Sequence, residues 1–176
     1  MTPTIAPTGA ERHLQEEELI VTKTDLRGRI TYANDVFLRF SALTEEDAVG
    51  QAHNLIRHPD MPRGVFGLLW ERVQAGQEIF AYVKNLAHDG GAYWVFAHVT
   101  PTFDRTGAIT GYHSMRRAPR RSALRPVEEL YAAMRTQEAG LSGPAAAEAS
   151  RAWLDEQLRE QGTDYDAWVW SLEASA

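Results

Sequence analysis

Apolar residues alternate with polar ones in some stretches and recur at helical spacing in others, and the changes between these two periods divide the chain. From Glu18 to Asp25 a Leu-Ile-Val-Thr run predicts a strand, Arg27-Gly28 a turn, and Arg29 to Tyr32 a second strand. Asn34 or Asp35 can cap a helix from Val36 to Ser41 that buries Phe37 and Phe40. Thr44 starts another short helix, with acids in its first turn, and Gly50 ends it. His53 to Pro62 holds two prolines, which bias the residues before them away from helical geometry, so this stretch reads as short turns. A helix follows in which Val65, Phe66, Leu69, Trp70 and Val73 recur at helical spacing.

Three strand-like runs come next, Glu78 to Leu86, Ala92 to Phe103 and Ala108 to Arg117. Asp89-Gly90-Gly91 and Asp104 to Gly107 separate them as turns, which predicts an antiparallel meander. Beyond Pro126, Val127, Leu130, Tyr131 and Met134 mark an amphipathic helix; a second is expected from Ala145 to Gln161. The tail with Tyr165, Trp168, Val169, Trp170 and Leu172 is too apolar to stay free, and is expected to dock on the domain or on a second subunit.

The expected organisation is a flexible or helical N-terminal arm over residues 1–17, one α+β domain over 18–118 and a helical region over 119–176. A chain of 176 residues has room for one such domain and an extension. Its 44% hydrophobic content is enough for a packed core. The net charge of -6 argues against a nucleic-acid binder, which needs a basic surface to displace counterions. The basic cluster of Arg116, Arg117, Arg120 and Arg121 reads as a solvated strand end or linker. No apolar run is long enough for a membrane helix and no leader is evident, so a cytoplasmic location away from the membrane is expected. The absence of cysteine excludes thiol chemistry, including a cysteinyl-flavin adduct. With no phosphate-binding Gly loop, HExxH or nucleophile elbow, the chain does not read as an enzyme.

The segment Asn54-Leu55-Ile56-Arg57-His58-Pro59-Asp60-Met61-Pro62, followed by an aromatic-rich helix, then Lys84-Asn85, Gly90 and Tyr93-Trp94-Val95, resembles the FAD-binding PAS domain of bacterial aerotaxis receptors. The resemblance covers about Leu19 to Arg117. It implies a PAS fold: a five-stranded antiparallel sheet with short helices on one face, here with a C-terminal helical extension. Members of that family continue into a membrane anchor and a signalling coiled coil, whereas this sequence ends after its helical region. Its output is therefore expected to be delivered differently.

A flavin needs an apolar slot, hydrogen bonds at its ring edge and charge compensation for its diphosphate. Strand alternation places Ala81, Val83 and Asn85 on one face. The resemblance implies that Asn85 bonds the pyrimidine edge of the ring; by residue type it reads equally as a turn-capping Asn. Arg57 and His58 suit phosphate or ring contacts, with Asp60 orienting one of them, although a solvated Arg, a surface His and a capping Asp are the plain alternatives. Phe66 and Trp70 suit a wall of the slot, or ordinary core. Tyr93 shares a strand face with Val95, while Trp94 faces the C-terminal helices. Asn34, His53 and Asn54 are carried over from the family, and a helix cap and a turn His explain the first two equally well.

The expectation is a redox or oxygen sensor that holds FAD, with FMN as the other flavin, and signals as a homodimer or to a downstream signalling protein. Two alternatives stand beside it. His58 and His113 raise a haem-binding PAS gas sensor, and the apolar tail raises a cofactor-free PAS dimerisation module.

Overall fold

The computed structural model describes residues 5–174; the part of the N-terminal arm before residue 5 lies outside them. Five strands form the antiparallel sheet: β2 (Ile20–Thr24), β3 (Ile30–Ala33), β4 (Ile79–Leu86), β5 (Ala92–Phe103) and β6 (Ile109–Arg117). Their spatial order is β4-β5-β6-β2-β3, so the C-terminal meander closes against the N-terminal hairpin. β6 reaches only as far as Phe96 of β5, which leaves the start of β5 open on that side. The expected flexible or helical arm fills this gap instead: β1 (Glu11–Arg12) pairs in parallel with Ala92 and Tyr93, making the sheet mixed. Pairing removes an exposed edge. Arg12 also bonds Asp89 and the Phe40 carbonyl, tying the arm to the β4–β5 turn.

Between the hairpin and β4 lie α1 (Asp35–Ser41), α2 (Glu45–Ala48), a 3-10 turn (His53–Ile56) and α3 (Arg63–Gln74). Asn34 caps α1 by accepting from Phe37 N at 3.1 Å, and Thr44 with Asp47 makes a reciprocal cap on α2. The sheet curls so that one face closes on these helices and the other on the C-terminal helices. As a result, β5 is buried on both faces from Ala92 to Ala97.

The C-terminal region holds α4 (Arg121–Gln137), α5 (Gly143–Glu160) and α6 (Tyr165–Ala174). α4 starts upstream of Pro126 rather than after it. The missing proline amide falls where its acceptor would be Ser122, in the first turn. The burial of Ala123 and Leu124 against the core outweighs that lost bond. On the outer face of the sheet, Tyr131 of α4 packs near Trp94 and donates to the Tyr82 carbonyl at 2.7 Å. α6 lies alongside, with Trp170 against Phe80 and Phe96, and Glu173 accepting from Tyr82 and pairing with Arg117 at 2.8 Å. The apolar tail thus docks on its own domain.

α5 runs against α3, and the contact depends on Gly64. A Cβ there would strike Ser150 Oγ and stand 2.8 Å from Arg151 N. Pro62 offers no side-chain cap to α3. Glu138 and Ser150 supply it from the extension: Glu138 Oε1 accepts from Arg63 N, from Gly64 N at 3.3 Å and from Ser150 Oγ at 2.7 Å. Further along α3, Arg72 pairs with Asp166 and Arg151 with Glu71. No helix among the described residues is long and apolar enough to cross a membrane.

Candidate ligand-binding site

The concave face of the sheet and α3 enclose a cavity of about 400 Å³, within the range of small-molecule sites. Strand alternation sets one wall: Val83 and Asn85 from β4, Ala97 and Val99 from β5, and Tyr112, Ser114 and Arg116 from β6 point inward. Opposite them, α3 turns Phe66, Leu69, Trp70 and Val73 to the same space. His53, Asn54 and Arg57 close one side, and Arg27 and Gly28 of the β2–β3 turn another. Trp70 stands edge-on to Tyr112, with centroids 5.4 Å apart. Gly28 makes room for it: φ there is 73°, and a Cβ would lie 3.0 Å from the Trp70 ring.

Several polar groups line the cavity, and Thr22, Asn85, Ser114 and Arg116 among them are buried. Arg116 Nη2 donates to Thr22 Oγ1 at 2.9 Å and meets His53 Nε2 at 2.6 Å. A guanidinium only donates, so His53 carries its proton on Nδ1. Burial, and then the Arg116 charge, lower the His53 pKa to about 3. Burial also lowers that of Arg116 to about 10, leaving the guanidinium charged at neutral pH. Three buried atoms on the cavity lack a partner among the described residues: Asn85 Nδ2, Ser114 Oγ and Arg116 Nη1. Among the described residues, no carboxylate lines the cavity. The site therefore offers apolar walls, hydrogen-bond donors and positive charge. These features fit a flat aromatic ring with acceptor edges and an anionic tail.

Of the residues predicted for the site, His53, Asn54, Arg57, Phe66, Trp70 and Asn85 come together at the cavity. Arg57 sits over the Phe66 ring at 4.2 Å and donates to the Met61 carbonyl at 3.3 Å, and its backbone bridges to that of Asn85. The other four stand elsewhere. Asn34 is committed to its cap, to Val21 N and to the Leu19 carbonyl. Tyr93 faces inward but beyond the cavity, against Phe40 and with its hydroxyl 3.5 Å from Ser41 Oγ.

The turn at Pro59 directs His58 and Asp60 away from the cavity. His58 Nδ1 accepts from Asp60 N at 3.1 Å, and the Asp60 carboxylate bonds Lys84 at 2.8 Å and Arg135 of α4 at 3.2 Å. Partial burial works against ionisation of Asp60, yet the Lys84 bond and the surrounding cations hold its pKa low. The segment fastens the cavity rim to α4.

Arg116 is the principal correction. Read with Arg117, Arg120 and Arg121 as a solvated strand end, it is instead 5% exposed and faces inward. The alternation Tyr112, Ser114, Arg116 is the signal that points to it, and Thr22 follows from its pairing with Ser114.

A curled sheet that closes with short helices over a ligand-sized cavity defines a class of small sensory ligand-binding domains. The family model described as the PAS fold matches residues 20–115, and the chain belongs to that family. It is 38% identical over 121 residues to the aerotaxis receptor of Escherichia coli (strain K12), covering 69% of this chain and 24% of the receptor. It is 28% identical over 104 residues to the nitrogen fixation regulatory protein of Klebsiella pneumoniae, covering 59% of this chain and 21% of that protein. The chain thus spans less than a quarter of either relative. Among solved structures, a light-oxygen-voltage domain from a mechanistic study with a flavin analogue superposes with a TM-score of 0.55 at 13% identity, covering 63% of this chain and 83% of that one. At that identity, the likeness speaks for the fold.

Proposed function

We propose that this PAS domain binds a flavin, FAD in particular, and senses redox state or oxygen, acting through protein–protein contact rather than by turning over a substrate. The observation that carries this reading is Asn85 Nδ2, a buried donor without a partner among the described residues and set between apolar walls. A buried amide in that state costs free energy unless a ligand acceptor completes it. The likeness to the aerotaxis receptor at 38% identity supports the same ligand class.

A bound flavin supplies reversible electron and proton uptake at its ring edge. The chain's own residues would hold and orient it. Asn85 would offer its amide to the ring edge, Phe66 and Trp70 would wall the ring, and Arg57 and Arg27 would meet the anionic tail. A change of ligand charge would alter what Asn85 and its neighbours bond, and β6 leads directly into α4, the first element of the extension. A homodimer or a downstream signalling protein in the cytoplasm would read that change.

The haem reading has less support. Neither His58 nor His113, the imidazoles that raise it, lines the cavity. The absorption spectrum of the purified protein tests all three readings: a band at about 450 nm is expected for flavin, one at about 400 nm would mean haem, and colourless protein would leave the interaction module. Chromatography of the released cofactor separates FAD from FMN.

A further inference from the structure

Of the groups around the cavity, Arg116 is held at the greatest electrostatic cost. It rises from β6, the middle strand of the five-stranded antiparallel array, and is 5% exposed. A cation taken from water is expensive unless a counter-charge or a full set of acceptors repays it. Arg116 has neither. Among the described residues its bonded partners are the neutral Thr22 and His53, both through Nη2, and no carboxylate lines the space it faces. The guanidinium carbon lies 5.9 Å from the centroid of Phe37, a contact that offsets only part of the loss.

Holding His53 in place does not account for this arrangement, since Nη2 alone makes that contact. Nη1 is buried, borders the same cavity as Asn85 Nδ2 and Ser114 Oγ, and has no partner among the described residues. The two other arginines at the cavity differ in setting: Arg27 is exposed and Arg57 is half-buried. Those two suit a diphosphate that keeps contact with water, whereas Arg116 suits a group that leaves water entirely.

We infer that Arg116 is a ligand-binding residue whose Nη1 donates to an acceptor oxygen or nitrogen on the ring system of the ligand, while Nη2 stays on His53 and Thr22. The cavity is thereby selective for rings with carbonyl or anionic acceptors at the buried edge. This inference rests on the flavin reading of the site. It adds that the ring contact, not the phosphate contact, belongs to this arginine.

The test uses the full chain, freed of cofactor, titrated with FAD and separately with riboflavin, which has the ring but no phosphates. Arg116→Met is expected to weaken both ligands by a similar factor, about ten- to a hundredfold. The ligand-free variant should melt at the wild-type temperature or above it, because an uncompensated buried cation has been replaced by an apolar chain. Arg116→Gln, which keeps a donor near Thr22 but loses the charge, is judged by the same ratio should the methionine variant fail to fold.

Wild-type affinity for both ligands in the folded variants would overturn the inference, as would a loss confined to FAD, which would move Arg116 to the phosphates. Ligand-free methionine and glutamine variants that both melt well below wild type would make the residue structural and overturn it too. Wild-type protein that binds neither ligand would instead remove the flavin reading, and this inference with it.

Discussion

Arg116 Nη2 lies 2.6 Å from Nε2 of His53, so a strand residue and a turn residue far apart in sequence share one hydrogen bond at the cavity. Because the guanidinium can only donate, this contact requires a neutral imidazole with its proton on Nδ1.

Burial of His53, with the Arg116 charge beside it, sets a pH dependence. The His53 pKa is about 3 in the folded chain, against an ordinary value of 6.5 when unfolded. Between those values the unfolded chain holds the extra proton, so stability rises with pH and is lost as pH falls below about 6.5. His58 and His113 are shifted in the same direction, mainly by burial, and add to the trend. Nuclear magnetic resonance should find His53 neutral from pH 8 to pH 5, and an ordinary titration near 6.5 would mean that the imidazole is not buried beside Arg116.

Asn85→Ala and Trp70→Ala should each leave a folded domain that retains less flavin, by about 1–3 kcal/mol, because one removes an edge donor and the other a wall. Arg57→Ala should weaken FAD more than riboflavin, the opposite of the equal loss expected at Arg116. Flavin occupancy after purification and fluorescence titration read these differences; unchanged occupancy in both the Asn85 and Trp70 variants would remove those residues from the site.

Much of the fold is legible because periodicity is local. Ala81, Val83 and Asn85 alternate without interruption, and their strand lies where that pattern places it, with Asn85 facing the cavity. The turn from His53 to Pro62 is legible as a turn but not as a set of directions. Its prolines exclude a helix without saying which side chains turn inward, so Arg57 and His58, adjacent in sequence, part company in space. Arg116 is obscured by its neighbours, since three nearby arginines suggest solvent even though strand alternation assigns it to the inner face. β1 is illegible for another reason: two residues carry no period, and their pairing depends on an edge left open by β6.

Gly64→Ala should separate α5 from α3, since the added methyl collides with Ser150 Oγ and the Arg151 amide. A loss of about 1–3 kcal/mol is expected in denaturant unfolding. Adding Ser150→Ala should recover only part of it, because the backbone amide remains in the way. Full recovery would show that the side chain alone sets the spacing.

Removing residues 162–176 takes α6 from the sheet and uncovers Phe80 and Phe96. The shortened chain should melt at a lower temperature and associate in a concentration-dependent way in light scattering. An unchanged melting temperature with a monodisperse monomer would mean that α6 does not act as a cover.

The N-terminus of α3 is capped by Glu138 and Ser150, and the same helix presents Phe66 and Trp70 to the cavity. One helix is therefore common to the ligand site and to the seat of the extension, and this places the two equilibria under thermodynamic reciprocity. Whatever factor a cavity ligand applies to the release of α4 and α5, their release applies in return to the affinity for that ligand. If that factor differs from one, a protein that captured the extension would change how tightly the cavity holds its ligand without touching it.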